Sequence, residues 1–183
     1  MEVDDRVDRV HVFNNNITMT ISRNSYLEND QRKLLRMNMA EWGDNRPFGS
    51  GDPCFKDSCY FISSAEIGKT WARNRATCQG KGGDLVSIET EEEWDFINNQ
   101  IQKKCIGQPN EWHIGLKKGN NGWKWVNGKP LTISKWQVTH GEPSGDGDVA
   151  VMSKDYPPLK KGLFNDLRDN IWRAYICEIP KAT

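Results

Sequence analysis

The chain has 183 residues, room for one domain of ordinary size and an arm of about 50 residues, but short for two independently cored domains. Lys and Arg total 25 and Asp and Glu total 25, so there is no global charge excess to hold nucleic acid or an anionic membrane by long-range attraction. With 8 Trp, 6 Phe and 4 Tyr the chain carries core material that disordered chains lack, and no apolar run approaches the roughly 20 residues of a membrane-spanning helix.

The N-terminal stretch MEVDDRVDRV is too acidic and too polar for a signal peptide, so an exported form is expected to be a trimmed piece. Residues 1–52 contain no Cys, carry the polar run Asn14 to Asn16, and close in the turn-rich GDNRPFGSGDP. Val10, Val12, Ile17, Met19 and Ile21 alternate in places, which allows a short strand or hairpin around the Asn run. Leu34, Leu35, Met37 and Met39 offer a short helix instead. Neither buries enough apolar area to stand alone, so 1–52 reads as an arm, stalk or neighbouring-module segment ahead of a domain at 53–183. The triplet Asn16-Ile17-Thr18 permits N-glycosylation of Asn16 in an exported chain.

From Cys54 onward the local signals sharpen. Thr70 to Gln79 places Trp71, Arg75 and Cys78 on one helical stripe with Ala72 and Ala76 beside it, and Gly80, Gly82 and Gly83 end that helix. Leu85 to Ile88 reads as a short strand. Thr90 followed by Glu93 has the capping-box pattern, and Trp94, Ile97 and Ile101 form the core stripe of a second helix, which frays near Lys103 and Lys104 before Gly107. Trp112 to Leu116 and Trp123 to Val126 are strands around the turn Gly119 to Gly122, and Asn127-Gly128 marks another turn. Val149 to Met152, Gly162 to Phe164 and Ala174 to Ile179 are the last strands. Leu131 to Gly147, with Trp136 and then HGEPSGDGD, is too polar and too rich in Gly and Pro for a core element and is expected to be an ordered surface loop. Two helices, many short antiparallel strands and a long loop make an α+β domain.

Five cysteines are present, Cys54, Cys59, Cys78, Cys105 and Cys177. None forms a C-x-x-C pair, and His11, His113 and His140 have no zinc-like spacing to any of them, so two disulfides and one leftover thiol are expected in an oxidising compartment. Three scattered His without G-x-S-x-G, P-loop or H-E-x-x-H leave no nucleophile beside a base, and no enzymatic activity is expected.

The segment from about Cys54 to Pro180 resembles a C-type lectin-like domain. The resemblance rests on Trp71 seven residues before Cys78, then GGDLVSI (Gly82 to Ile88), and the acidic opening of the second helix at Glu91 to Glu93. It continues in HIGL (His113 to Leu116), with His where the family usually has Trp, and in WKWVNGKP (Trp123 to Pro130), FND (Phe164 to Asp166) and AYICE (Ala174 to Glu178). It implies a disulfide from Cys78 to Cys177, closing a loop of about 100 residues, and a local bridge between Cys54 and Cys59 on a spacing shorter than usual. Cys105 is then left over, free, paired with Cys54 or Cys59 instead, or linking two chains. The family's second core bridge is replaced by acidic residues, at about Asp148 and at Asp169. These two carboxylates repel unless a cation or a basic group such as Arg168 or Arg173 sits with them.

By the same resemblance, Glu142-Pro143-Ser144 matches a sugar-selecting Glu-Pro-Asn triplet with a cis proline. Asp146 falls near a further acidic ligand, and Asn165-Asp166 matches the pair that completes a calcium site. Calcium takes six to eight oxygens, and Glu142, Asp146, Asn165 and Asp166 are the candidate ligands, with Ser144 a shorter and poorer fifth. Trp71, Trp94 and Trp125 are expected in the core, whereas Trp136 and Trp172 are candidate aromatic anchors of an interface if exposed, with hydrophobic support for the long loop the commoner role for such residues. Two readings result. In one, an extracellular recognition module binds a protein partner through Trp136, Trp172 and the long loop; in the other, bound calcium ligates sugar hydroxyls while Glu142, Ser144 and Asn165 hydrogen-bond them. The eroded triplet and the missing bridge favour the first.

Overall fold

The structure, a computed structural model of the chain, describes residues 11–13, 16–18, 51–104, 110–154 and 162–181. Two compact units result, Met1–Gly43 and Asp44–Thr183. In the first, β1 (His11–Phe13) and β2 (Asn16–Thr18) pair antiparallel with Val12 opposite Ile17, the hairpin that the alternation around the Asn run allows. Asn16 opens β2, and its side chain, the helix expected at 34–39 and Cys105 lie outside the described residues.

The second unit is built on an eight-stranded sheet. It comprises β3 (Cys54–Phe55), β4 (Ser58–Ile62), β5 (Asp84–Leu85), β6 (Glu111–Gly119), β7 (Gly122–Trp125), β8 (Val149–Ser153), β9 (Leu163–Leu167) and β10 (Ala174–Pro180). The main path runs β3-β4-β10-β6-β8-β9, with β5 on β10 and β7 on β6. Among the strands of this sheet in the described residues, only the β10–β6 pairing is parallel; an isolated parallel bridge also joins Trp136 to Phe164. The strand expected over Leu85 to Ile88 keeps ladder pairing only at its start. Val86 and Ile88 are fully buried, and Val86 still bonds both neighbours through Val86 N–H to the Ile176 carbonyl and Gly115 N–H to the Val86 carbonyl. That second bond needs Gly115, because a Cβ there would sit 2.6 Å from the Leu85 carbonyl oxygen.

Helix α1 spans Trp71–Gly80 and ends at Lys81, after which Gly82 takes a φ of 85°. Its buried face is Trp71, Asn74 and Cys78. Arg75, expected on that stripe, instead turns to the half-exposed edge and grips Asp84 with two guanidinium nitrogens, while Ala72 and Ala76 face solvent. Helix α2 spans Glu91–Gln102, with Thr90 accepting from the Glu93 N–H at 3.2 Å. The return bond of the capping box reaches one residue further than the pattern implies, since Glu93 accepts from Glu89 N–H at 2.9 Å. Glu93 also accepts the Tyr60 hydroxyl at 2.8 Å. Burial, helped by that neighbouring carboxylate, pushes the Tyr60 phenol up, and burial likewise raises Glu93.

Two apolar clusters fill the domain. The larger lies under α2 and the sheet and includes Ile97, Ile101, Trp112, Ile114, Leu116, Trp125 and Phe164; the smaller packs Trp71, Leu85, Val149 and Tyr175 around the sulfurs of Cys78 and Cys177. Those two cysteines are bonded to each other, as are Cys54 and Cys59 across the β3–β4 hairpin, where the two strands face in register. Trp71 and Trp125 are buried, as expected of core residues, whereas Trp94 is only half-buried, with its indole N–H on the Gly162 carbonyl and the Lys135 ammonium 4.0 Å above its ring.

Asp148 and Asp169 stand at the ends of the β8–β9 ladder, one just before β8 and the other two residues after β9. Both are exposed to water, and Arg173 is engaged elsewhere, on Glu111 at 2.7 Å. Around them β8 and β9 are already joined in register from Val149–Leu167 to Ser153–Leu163, and Asp148 N–H donates to the Leu167 carbonyl.

Candidate functional site

Residues 131–147 leave the sheet after β7 and return at β8, and their base is apolar. Trp136 lies tilted against Trp123 with ring centroids 4.8 Å apart and meets Phe164 edge-on at 6.0 Å, while Phe164 meets Trp125 at 6.2 Å. Only 7% of Trp136 is exposed. This corrects the expectation that Trp136 is a ligand contact: its ring fastens the loop to the core, and backbone bonds from Gln137 N–H to the Phe164 carbonyl and from Phe164 N–H to the Lys135 carbonyl complete the fastening. The signal was present in the half-buried Leu131 and Ile133 just before it, an apolar lead-in that a surface loop does not need.

At its tip the loop is polar and organised by one side chain. Asp166, on β9, is buried to 1% exposure beneath residues 142–147. Its Oδ1 accepts the Ser144 N–H at 2.8 Å and the Ser144 hydroxyl at 3.1 Å; its Oδ2 accepts the Gly145 N–H at 2.9 Å and the Gly147 N–H at 3.2 Å. A carboxylate has about four lone-pair sites, and here each has a donor. Ser144 shares the same donors with its neighbours, its N–H with Glu142 at 2.9 Å and its hydroxyl with Asp146 at 2.9 Å. The Glu142-Pro143 peptide is cis, as the resemblance implies. Gly147 is a requirement of packing, since a Cβ there would overlap the Leu167 backbone at 2.1 Å.

The charges follow from this arrangement. Burial pushes the Asp166 carboxyl up, but the Glu142 contact and the backbone N–H groups of Ser144, Gly147 and Gly145 outweigh it and hold Asp166 below the usual carboxylate range. Glu142 moves the other way, raised by burial and by the neighbouring Asp166.

The structure therefore brings Glu142, Ser144, Asp146 and Asp166 together and carries Asn165, half-buried, beside Asp166 on β9. Trp172 stands apart from this cluster's hydrogen bonds, on the β9–β10 connection, 60% exposed. Asp166 already accepts four donors from the loop, and among the described residues no three His, Cys, Asp or Glu side chains gather as a metal-holding group. Of the expected ligand set, Glu142, Asp146 and Asp166 meet through Ser144 in one hydrogen-bonded knot in which Asp166 accepts from the loop backbone, while Asn165 lies next to Asp166 on β9. Sequence reasoning had no means of finding the donors of Gly145 and Gly147, because a backbone N–H is present at every non-proline position and only the fold selects two of them.

Comparison with known proteins places this geometry. The family model for the lectin C-type domain matches residues 67–179. Human C-type lectin domain family 6 member A is 32% identical over 131 residues, covering 69% of this chain and 58% of the relative. Mouse CD209 antigen-like protein D is 36% identical over 141 residues, covering 71% and 54%. The chain thus spans less than two thirds of these relatives' lengths. Among solved structures, the carbohydrate-recognition domain of mouse scavenger receptor C-type lectin superimposes with a TM-score of 0.60 at 23% identity, covering 73% of this chain and 98% of that one. A calcium-independent type II antifreeze protein superimposes with a TM-score of 0.57 at 22% identity, covering 72% and 93%.

Proposed function

The chain belongs to the C-type lectin domain family, and from that premise we propose that residues 53–183 are an extracellular, non-catalytic recognition module that binds a protein partner through its long-loop face without calcium. The observation that carries this reading is the saturation of Asp166: four donors from Ser144, Gly145 and Gly147 hold the tip in shape, so no cation is needed to order it. A loop whose backbone is already organised meets a partner at low ordering cost. Trp172 offers the rigid, exposed aromatic surface that anchors protein interfaces.

A calcium-dependent glycan reading is the alternative. It is favoured by the contact of Glu142 with Asp166, two carboxyl groups whose mutual repulsion a cation would relieve. Thermal melting in millimolar calcium and in chelator separates the two. A ligand at 100 times its Kd that binds only the native state adds about 2.7 kcal/mol, a shift of a few degrees at this size. The expected result is one melting temperature in both conditions, with binding to an array of extracellular protein domains retained in chelator. A calcium-dependent shift lost in Asp166→Ala, together with calcium-restored binding to immobilised glycans, would replace this reading with the alternative.

A further inference from the structure

Away from the loop, a fully buried histidine occupies a position that admits only its neutral form. His113, on β6, is 0% exposed, and its Nδ1 lies 2.9 Å from Nδ2 of Asn74 on α1. The orientation of the Asn74 amide is set by Oδ1, which accepts the Lys69 N–H at 3.0 Å; Nδ2 then faces three acceptors, the carbonyls of Lys69 at 2.9 Å and Arg173 at 3.0 Å and His113 Nδ1, which share its two hydrogens. An amide nitrogen accepts no hydrogen bond, so Nδ1 must be the acceptor and the ring proton sits on Nε2, which is buried with no hydrogen-bond partner among the described residues. A second ring proton would set two donors face to face.

The surroundings oppose that proton as well. The facing charged group is the Arg173 guanidinium, from the segment before β10, held by Glu111 two residues back along β6. Across the sheet His113 pairs with Val151 of β8 and Tyr175 of β10, and neither brings a carboxylate. The same few atoms fasten three segments together. Arg173 N–H donates to the Lys69 carbonyl, Trp71 N–H to the Asp169 carbonyl and the Trp71 indole to the Ile114 carbonyl at 2.9 Å.

We propose that His113 and Asn74 form an acid-opened clasp, in which protonation of the ring breaks the Asn74 contact and releases residues 169–173, with the exposed Trp172, from α1 and β6. The proposal does not depend on whether the long loop binds protein or glycan. Its direction follows from linkage. Burial, and then Arg173, lowers the His113 pKa from 6.5 to about 3, so between those values the unfolded chain binds the proton and the folded chain does not. Stability is therefore full above about pH 6.5 and is lost progressively on acidification.

The test uses the full chain as wild type, His113→Gln and His113→Trp, unfolded in urea from about pH 7.5 to about pH 5. The unfolding constant of the wild type is expected to rise by up to about tenfold per pH unit below about 6.5 relative to both variants, whose remaining carboxylates titrate in common with it. Amide exchange at residues 169–175 should quicken in acid in the wild type alone. Where a variant does not fold, ring nitrogen spectra of the wild type decide the matter: Nδ1 should remain unprotonated in the folded chain at about pH 5.5, well below the ordinary histidine range. A folded-state titration near pH 6.5, or variants with the wild-type pH profile, would overturn the clasp.

Discussion

The α1–β10 end of the domain and the long loop are ordered by opposite means. At the first, Cys78 and Cys177, 99 residues apart in sequence, are bonded within a cluster of Trp71, Leu85, Val149 and Tyr175, so a covalent link and apolar burial coincide. At the second, residues 142–147 bury little, and one carboxylate collects four donors from the turn above it. The contrast shows how a polar loop stays ordered on a rigid scaffold: its backbone N–H groups need acceptors, and a single buried Asp supplies several at once. It also separates the order of the loop tip from the packing of the sheet, because the donors on Asp166 come from residues 144–147 and the bridge lies in the apolar cluster around Trp71.

The contrast is broken most severely at the bridge. Removing it as a Cys78→Ala/Cys177→Ala pair should cost up to about 4.7 kcal/mol for a closed loop of about 100 residues, read as a lowered urea midpoint of the whole transition. Asp166→Ala strikes the other region. It leaves buried donors without an acceptor and should cost about 1–3 kcal/mol, while amide exchange at Ser144, Gly145 and Gly147 rises far more than at β6 or β10. If exchange rose equally in both regions, the loop and the core would be one cooperative unit and the distinction would fall. Thr90→Ala, which removes the α2 cap outside both regions, should cost about 1 kcal/mol in the same urea measurement and leave loop exchange unchanged.

Much of the scaffold was legible in the sequence because its signals are local. The Thr90–Glu93 pair announces the start of α2, the glycines after Gln79 end α1, and Gly119 to Gly122 turn β6 into β7. Each signal depends on residues within a few positions of one another, where backbone geometry leaves few alternatives. The acidic and amide residues of the candidate site were legible in the same way, as a set close in the chain with a resemblance to order them. Their roles were not, since a carboxylate that binds an ion and one that anchors a turn have the same letter.

The errors share a cause. Trp136 was named both as an interface anchor and as support for the loop, because its neighbours in sequence are polar; its neighbours in space, Trp123 and Phe164, decide for support. Arg173 was offered as the partner of Asp148 or Asp169, yet the parallel pairing of β10 with β6 brings it to Glu111.

From the order of its amino acids alone, this protein is an α+β chain with a polar loop held between strands, because periodicity, caps and turns act over short stretches of chain; the link between Cys78 and Cys177 was implied only by the family resemblance. Only the tertiary structure decided that the carboxyl groups of Glu142 and Asp166 at the loop's tip face donors of its own backbone, and that a histidine in the sheet is buried against an amide that admits a lone pair and no proton. Both depend on which atoms, distant in sequence, the packed sheet brings within hydrogen-bond reach, and no local pattern encodes that.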